Sequence, residues 1–146
     1  MSQADAKPPA PLQVLIVGIL SLLWNSYGGY DYVMVNTRNA EYLKQFPAEM
    51  IPWMNTFPAW AIGLWAIGVW GSILGSVLLL LRSRHAVTGF AVSLVGAVLG
   101  LGFQYMHDMP TSLNTTEEHD MTAVIITAIV LFWWYARRAR AQGLLN

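Results

Sequence analysis

The sequence has no cysteine and few charged residues among its 146 positions. Without cysteine the chain has no disulfide framework, no thiolate metal site and no redox-active thiol. Eight Lys and Arg balance eight Asp and Glu, so the formal net charge is zero and a basic surface for nucleic acid is excluded. Charged residues form only 11% of the chain, whereas soluble domains contain about 25%. This composition predicts a protein that is solvated largely by lipid.

Four long blocks contain no Lys, Arg, Asp, Glu or His: residues 12–30, 58–81, 86–106 and 121–135. A helix rises about 1.5 Å per residue, so about 20 residues cross the hydrocarbon core of a bilayer. The blocks predict an all-α membrane protein, a four-transmembrane-helix bundle that forms a single domain over residues 1–146. We expect a disordered tail at 1–11 and spans at about 12–33, 58–81, 86–106 and 117–139.

The first block also has one feature of a secretory signal, because Lys7 precedes the apolar run 12–24. Asp5 and three prolines in the tail do not suit such a signal, and aromatic residues crowd the position where cleavage would fall. These features favour an uncleaved first span.

Basic residues are distributed unevenly between the two sides of the predicted bundle. Six of the eight lie at one set of helix ends: Lys7, Arg82, Arg84, Arg137, Arg138 and Arg140. Arg38 and Lys44 lie on the other side. Lys and Arg are retained on the cytoplasmic side of membranes. The sequence therefore predicts a multi-pass protein of the cytoplasmic membrane with both termini in the cytoplasm.

The longest connection, residues 36–57, mixes charged and apolar residues and is divided by Pro47 and Pro52. We expect one or two short interfacial helices there, between the first and second spans. A second local signal is Thr115-Thr116-Glu117-Glu118, whose Thr-x-x-Glu spacing is that of a capping box. It predicts that the fourth long helix begins near Thr116.

Small residues recur at four-residue spacing in the second and third spans. Those predicted to pack helices together are Gly68, Gly71, Ser72, Gly75, Gly96 and Gly100. In lipid such residues let helix backbones approach closely. Since only residues 82–85 join the two spans, we expect a tight antiparallel hairpin at the centre of the bundle. The same faces could instead dock a second copy or a larger membrane complex.

One candidate binding site lies near the outer ends of the first and third spans. Trp24, Tyr27 and Asp31 share a helix face, and His107 lies at the level of Asp31. Flat rings, amides and carboxylates are the groups that sugars and polyols bind. The predicted substrate-binding residues are Trp24, Asn25, Tyr27, Asp31, Gln104 and His107. In the structural alternative, the amides form interhelical hydrogen bonds and the rings mark the membrane interface.

A second candidate site involves two His-Asp-Met tracts, with His107 and Asp108 in the first and His119 and Asp120 in the second. Imidazole with thioether suits copper, and imidazole with carboxylate suits zinc. Alternatively, Asp120 serves the start of the fourth long helix. We find no nucleophile beside a base and no flavin, haem or nucleotide motif. We therefore predict that the protein is not an enzyme and has no cofactor.

Several short motifs resemble those of a family of small bacterial inner-membrane proteins. They are Ser21-Leu-Leu-Trp-Asn25, Tyr30-Asp31-Tyr32, Phe57-Pro-Ala-Trp60, Gly68-Val-Trp-Gly71-Ser72 and Leu81-Arg-Ser-Arg-His-Ala-Val87. Members of that family are often labelled sugar transporters in genomes. The resemblance covers nearly the whole chain and implies four helices in a single unit. It assigns no functional residues.

Three functions remain open from the sequence. The first is transport of a polar solute such as a sugar, which would require an oligomer because four helices enclose little volume. The second is a non-transporting accessory or scaffold subunit of a membrane complex. The third is metal binding on the outer face.

Overall fold

The computed structural model describes residues 11–146, and within them it is helical with no strand. The predicted disordered tail, apart from Pro11, lies outside the described residues. The six helices are α1 (Leu12–Asn36), α2 (Ala40–Leu43), α3 (Met50–Met54), α4 (Ala59–Leu80), α5 (Ala86–Met106) and α6 (Thr116–Ala141). Each of α1, α4, α5 and α6 is long and apolar enough to cross a membrane. The prediction of an all-α, four-helix membrane fold is confirmed.

Local signals in the sequence account for where the long helices begin and end. Pro11 and Pro58 immediately precede α1 and α4, where a missing backbone N–H leaves no hydrogen bond unmade. At the start of α6 the Thr115 hydroxyl accepts a hydrogen bond from the Glu118 N–H. The chain turns after α1 and after α4 through residues with left-handed backbones, Arg38 at φ 55° and Arg82 at φ 57°.

The closest helix contact joins α4 to α5, and we call it the α4–α5 seam. Its small residues are Gly68, Gly71 and Gly75 on α4, with Gly89, Ser93 and Gly96 on α5. A Cβ placed at Gly89 would lie 2.9 Å from the Cα of Gly75. A Cβ at Gly96 would lie 2.9 Å from the backbone nitrogen of Gly68. The backbones are therefore too close for larger side chains.

The other long helices pack on either side of this hairpin, so the packing order is α1–α4–α5–α6. α1 packs on α4, where Gly18 lies against Leu80 and Gly29 against Ile73. α6 packs on α5, and the two ring centroids of Phe90 and Phe132 are 5.9 Å apart. α1 and α6 meet each other only slightly.

We distinguish two ends of the bundle. The turn end holds the α4–α5 connection and the residues after α6, and the loop end holds α2, α3 and the α5–α6 connection. At the turn end Leu145 is buried in a cluster with Val14, Leu79 and Phe90. Backbone hydrogen bonds join Asn146 to the 82–85 turn, with N···O distances of 2.8 Å to the Arg82 carbonyl and 2.7 Å from the Arg84 N–H. Leu145 is thus part of the core at this end, and Asn146 is held to the turn by its backbone.

Candidate functional site at the loop end

Asn25 lies within the helix bundle and bridges α1 to α4. Its Nδ2 donates to the Ser76 hydroxyl at 2.9 Å and to the Ser72 carbonyl at 3.3 Å. The side chain is only 6% exposed, and the Ser76 hydroxyl donates in turn to the Ser72 carbonyl at 2.9 Å. The amide therefore stabilises the α1–α4 contact, since an unpaired amide in hydrocarbon would be unfavourable.

Asp31 lies at the loop end of α1 and contacts α2. The Tyr42 hydroxyl donates to its Oδ1 at 2.6 Å. Tyr42 is positioned by two further contacts: its backbone N–H donates to the Asn39 side chain, which caps α2, and its ring packs edge-on against Tyr30. Burial and, to a smaller extent, the hydrogen bond to Asp31 raise the pKa of the Tyr42 phenol above its ordinary value of 10.0. The phenol is therefore held in its neutral, donating form.

His107 ends α5 and holds α3 against the bundle. The indole Nε1 of Trp53 donates to the His107 carbonyl at 2.7 Å. The His107 Nε2 lies 2.9 Å from the Thr56 hydroxyl oxygen, and that hydroxyl donates to the Trp53 carbonyl at 2.6 Å. Because the hydroxyl proton is already used, His107 Nε2 carries the donating proton. The imidazole also stacks on Phe103, with ring centroids 4.8 Å apart.

An aromatic cluster surrounds this histidine and was not anticipated from the sequence. Phe57 contacts Trp53, Phe103 and His107 edge-on, and Trp60 contacts Phe103. The i, i+4 spacing of Phe103 and His107 on α5 was a usable signal for their stacking. The contacts that the aromatic residues of 53–60 make with this cluster were not predictable in this way, because they depend on the path of the chain between α1 and α4.

The six predicted substrate-binding residues do not form one pocket. Trp24 and Tyr27 are exposed on α1, and Gln104 is half-buried with no side-chain hydrogen bond to any described residue. The only one of the six that lines the groove at this end is His107. That groove has a volume of about 650 Å³ and a mostly apolar lining of Trp60, Leu64, Val98, Leu99, Gly102, Phe103, Met106 and His107.

The predicted metal ligands are likewise separated. The His119 Nε2 donates to the Asn114 side-chain oxygen at 2.7 Å, whereas His107 contacts Thr56. Asp108 and Asp120 are exposed. No group of three or more His, Asp or Glu residues that could hold a metal ion exists in residues 11–146. Both imidazole Nε2 atoms would have to give up hydrogen bonds before they could ligate a metal through that nitrogen.

The predicted helix-packing residues lie at contacts within the chain. Gly68, Gly71, Gly75 and Gly96 belong to the α4–α5 seam, and Gly100 is buried where an added Cβ would lie 3.5 Å from the Leu64 Cβ. Ser72 is buried and accepts from Asn25 through its carbonyl. These faces are therefore covered by other helices of the same chain, and a partner would bind elsewhere.

Comparison with known protein families, curated proteins and solved structures found no match for this chain.

Proposed function

We propose that the protein is a non-transporting subunit or scaffold of a membrane complex. The supporting observation is that α1, α4 and α5 pack closely together, whereas α6 is covered less by the rest of the chain. Gly89 and Gly75 approach backbone to backbone at the centre, and the amide of Asn25 is engaged with α4. In α6 only 17% of the most apolar window is buried inside the chain, against 28% in each other long helix. α6 thus offers the largest free surface of the four.

The docking surface in this proposal is one face of α6. Ala123, Thr127 and Val130 are all exposed and are spaced i, i+4, i+7, so they share a face. We call these three residues the free α6 face. Ala123 and Thr127 have the small-xxx-small spacing that permits close helix approach in lipid. A transmembrane helix of a partner protein is the proposed occupant.

The proposed location is a bacterial inner membrane, with the turn end in the cytoplasm. The fold brings Arg82, Arg84, Arg137, Arg138 and Arg140 to the turn end, whereas Arg38 and Lys44 lie at the loop end. This asymmetry supports cytoplasmic retention of the turn end. A reporter fused after Asn146 should be active in its cytoplasmic form, and periplasmic activity would contradict the orientation.

The subunit function is tested by purification in mild detergent followed by mass measurement. The wild-type protein should be recovered in a complex heavier than a single chain. The variant A123L/T127L should lose that complex and keep its helical content. Gly63→Leu on α4 is the matched control, because a Cβ placed at Gly63 would meet no atom within 4 Å. Recovery of wild type as a single chain, or equal loss in the control, would reject the proposal.

Transport of a polar solute by an oligomer is the second candidate. It is favoured by the exposure of Trp24 and Tyr27 on α1, where they could face a pathway between copies. Sugar uptake into proteoliposomes that is lost in Asp31→Ala would support transport over the subunit function. Neither proposal assigns catalytic activity or a cofactor to the chain.

A further inference from the structure

The turn end of α6 carries two arginines that are stacked on tryptophans. The guanidinium carbon of Arg137 lies 4.8 Å from the ring centroid of Trp133, and that of Arg138 lies 5.4 Å from that of Trp134. Each pair is separated by four positions, so each guanidinium lies over the ring one turn before it. Trp134, Arg137 and Arg138 together line a shallow, open notch of about 450 Å³.

The depth of this notch follows from its place on α6. The apolar part of the helix ends at Tyr135, and interfacial tryptophans lie at the level of the lipid headgroups. Trp134 is half exposed, which leaves one edge of the notch in contact with lipid. The two guanidinium groups therefore lie at phosphate depth rather than in hydrocarbon.

The described chain supplies no carboxylate to these arginines. Neither Arg137 nor Arg138 forms an ion pair with a carboxylate of residues 11–146. The acidic residues of this part of the chain all lie at the loop end: Asp31, Glu41, Glu49, Asp108, Glu117, Glu118 and Asp120. No acidic side chain of residues 11–146 therefore lies beside the notch.

We propose that Trp134, Arg137 and Arg138 form a binding site for the phosphodiester of an anionic phospholipid. The planar guanidinium forks suit a phosphate, because two N–H groups can donate to two oxygens at once. Stacking on Trp133 and Trp134 limits the rotamers of both side chains before the lipid binds, so less conformational freedom is lost on binding. Trp134 provides the apolar contact for the glycerol and upper acyl region.

The test uses the full-length protein in mild detergent, titrated with phosphatidylglycerol or phosphatidylcholine, and counts retained lipids by native mass spectrometry. The wild type should retain phosphatidylglycerol in preference to phosphatidylcholine. A hydrogen bond to a charged group is worth at least about 10-fold in affinity, so R137Q/R138Q, which loses both guanidinium contacts to the phosphate, should lower the apparent affinity about 100-fold. R137K/R138K keeps the positive charge but lacks the planar guanidinium groups, so its loss of apparent affinity should be intermediate.

The matched control is R84Q/R140Q, which removes the same charge from two exposed arginines at the same end that do not line the notch. These two arginines do not contact the bound phosphate and attract it only at long range through water, so the affinity should change by less than about 5-fold. Equal losses in the two double variants would show general attraction and overturn the site. Equal retention of the two lipids by wild type would also overturn it, and so would displacement of the lipid by millimolar inorganic phosphate, which would assign the notch to a free anion. Circular dichroism of each variant should match wild type.

Discussion

The α4–α5 and α5–α6 contacts hold neighbouring helices together in lipid in different ways. In the first, Gly75 and Gly89 bring two backbones together, and the Ser93 hydroxyl donates to the Gly68 carbonyl at 2.5 Å. In the second, larger side chains such as Phe90 and Phe132 separate the helices. Lipid tails are as apolar as these side chains, so contact between them gives little drive for association. Because close approach rather than apolar area favours helix association in lipid, we expect the α4–α5 contact to be the more stable of the two.

The largest expected effect comes from breaking the α4–α5 seam. In Gly96→Leu the new side chain would meet Ile67 and the Gly68 backbone, at 2.8 and 2.9 Å from its Cβ. We expect a loss of unfolding free energy of about 3 kcal/mol or more, because backbone atoms cannot move aside cheaply. Unfolding in mixed detergent micelles, followed by circular dichroism, measures it. Gly63→Leu, in open space, should change the value by about 0.5 kcal/mol or less.

A smaller effect is expected from a buried side chain of α6, the helix that packs on α5. Ile129 is 4% exposed and is one of the few buried residues of α6. Ile129→Ala should destabilise the protein by about 1–2 kcal/mol, below the 2–5 kcal/mol typical of a soluble core, because lipid still solvates the released surface. The same unfolding assay applies, with exposed Leu131→Ala as the control. A loss as large as that of Gly96→Leu would contradict the comparison.

The α1–α4 contact allows the effect of glycine packing to be separated from that of hydrogen bonding, because it contains both small residues and the Asn25 side chain. Asn25→Ala removes the hydrogen bonds to Ser76 and Ser72. We expect a loss of about 1 kcal/mol, because interhelical hydrogen bonds in membranes are modest. Ser26→Ala, at the exposed neighbouring position, controls for the change in helix composition. If Asn25→Ala were neutral, glycine packing alone would account for this contact.

The smallest effect is expected outside the spans, where water competes for hydrogen bonds. Tyr42→Phe removes the donor to Asp31 and should cost about 0.5 kcal/mol, at the low end for a hydrogen bond because Tyr42 is partly exposed. The exposed Tyr27→Phe is the control. The measurement is again the free energy of unfolding.

The pH dependence of the stability difference between wild type and Tyr42→Phe has a predicted direction. The pKa of Tyr42 is raised in the folded protein, so its contribution is complete below pH 10.0 and is lost as the pH rises through the folded value. The stability difference between wild type and Tyr42→Phe should therefore be constant near neutral pH and shrink above pH 10.0. A difference that grows with pH in this range would contradict the assignment.

Much of the fold could be predicted because lipid imposes a simple rule on the chain. Each of the four long helices contains one of the four hydropathy blocks or nearly all of it, because an apolar run of about 20 residues forms a helix that crosses hydrocarbon, whereas α1 and α6 continue five or six residues beyond their blocks. The two short helices at 40–43 and 50–54 also agree with the interpretation of the long connection. Here composition and local signals were sufficient.

The candidate site was much less predictable. Helix periodicity placed Trp24 and Asp31 on the same face of α1. In the structure, Asp31 is hydrogen-bonded to Tyr42 and His107 to Thr56. Both partners lie in the connection between α1 and α4, whose path depends on long-range contacts. Periodicity describes which residues share a face of one helix and contains no information about which loop residue will lie above it.

The sequence by itself determined that the chain forms four apolar helices with five of its six arginines at one end, because hydrophobic length and charge placement act residue by residue. Tertiary structure alone decided which small residues meet, that Asn25 bridges α1 to α4, and that α6 keeps a free face. Those outcomes depend on the rotation and register of whole helices against one another, which are set by the closest backbone approach available to all of them together.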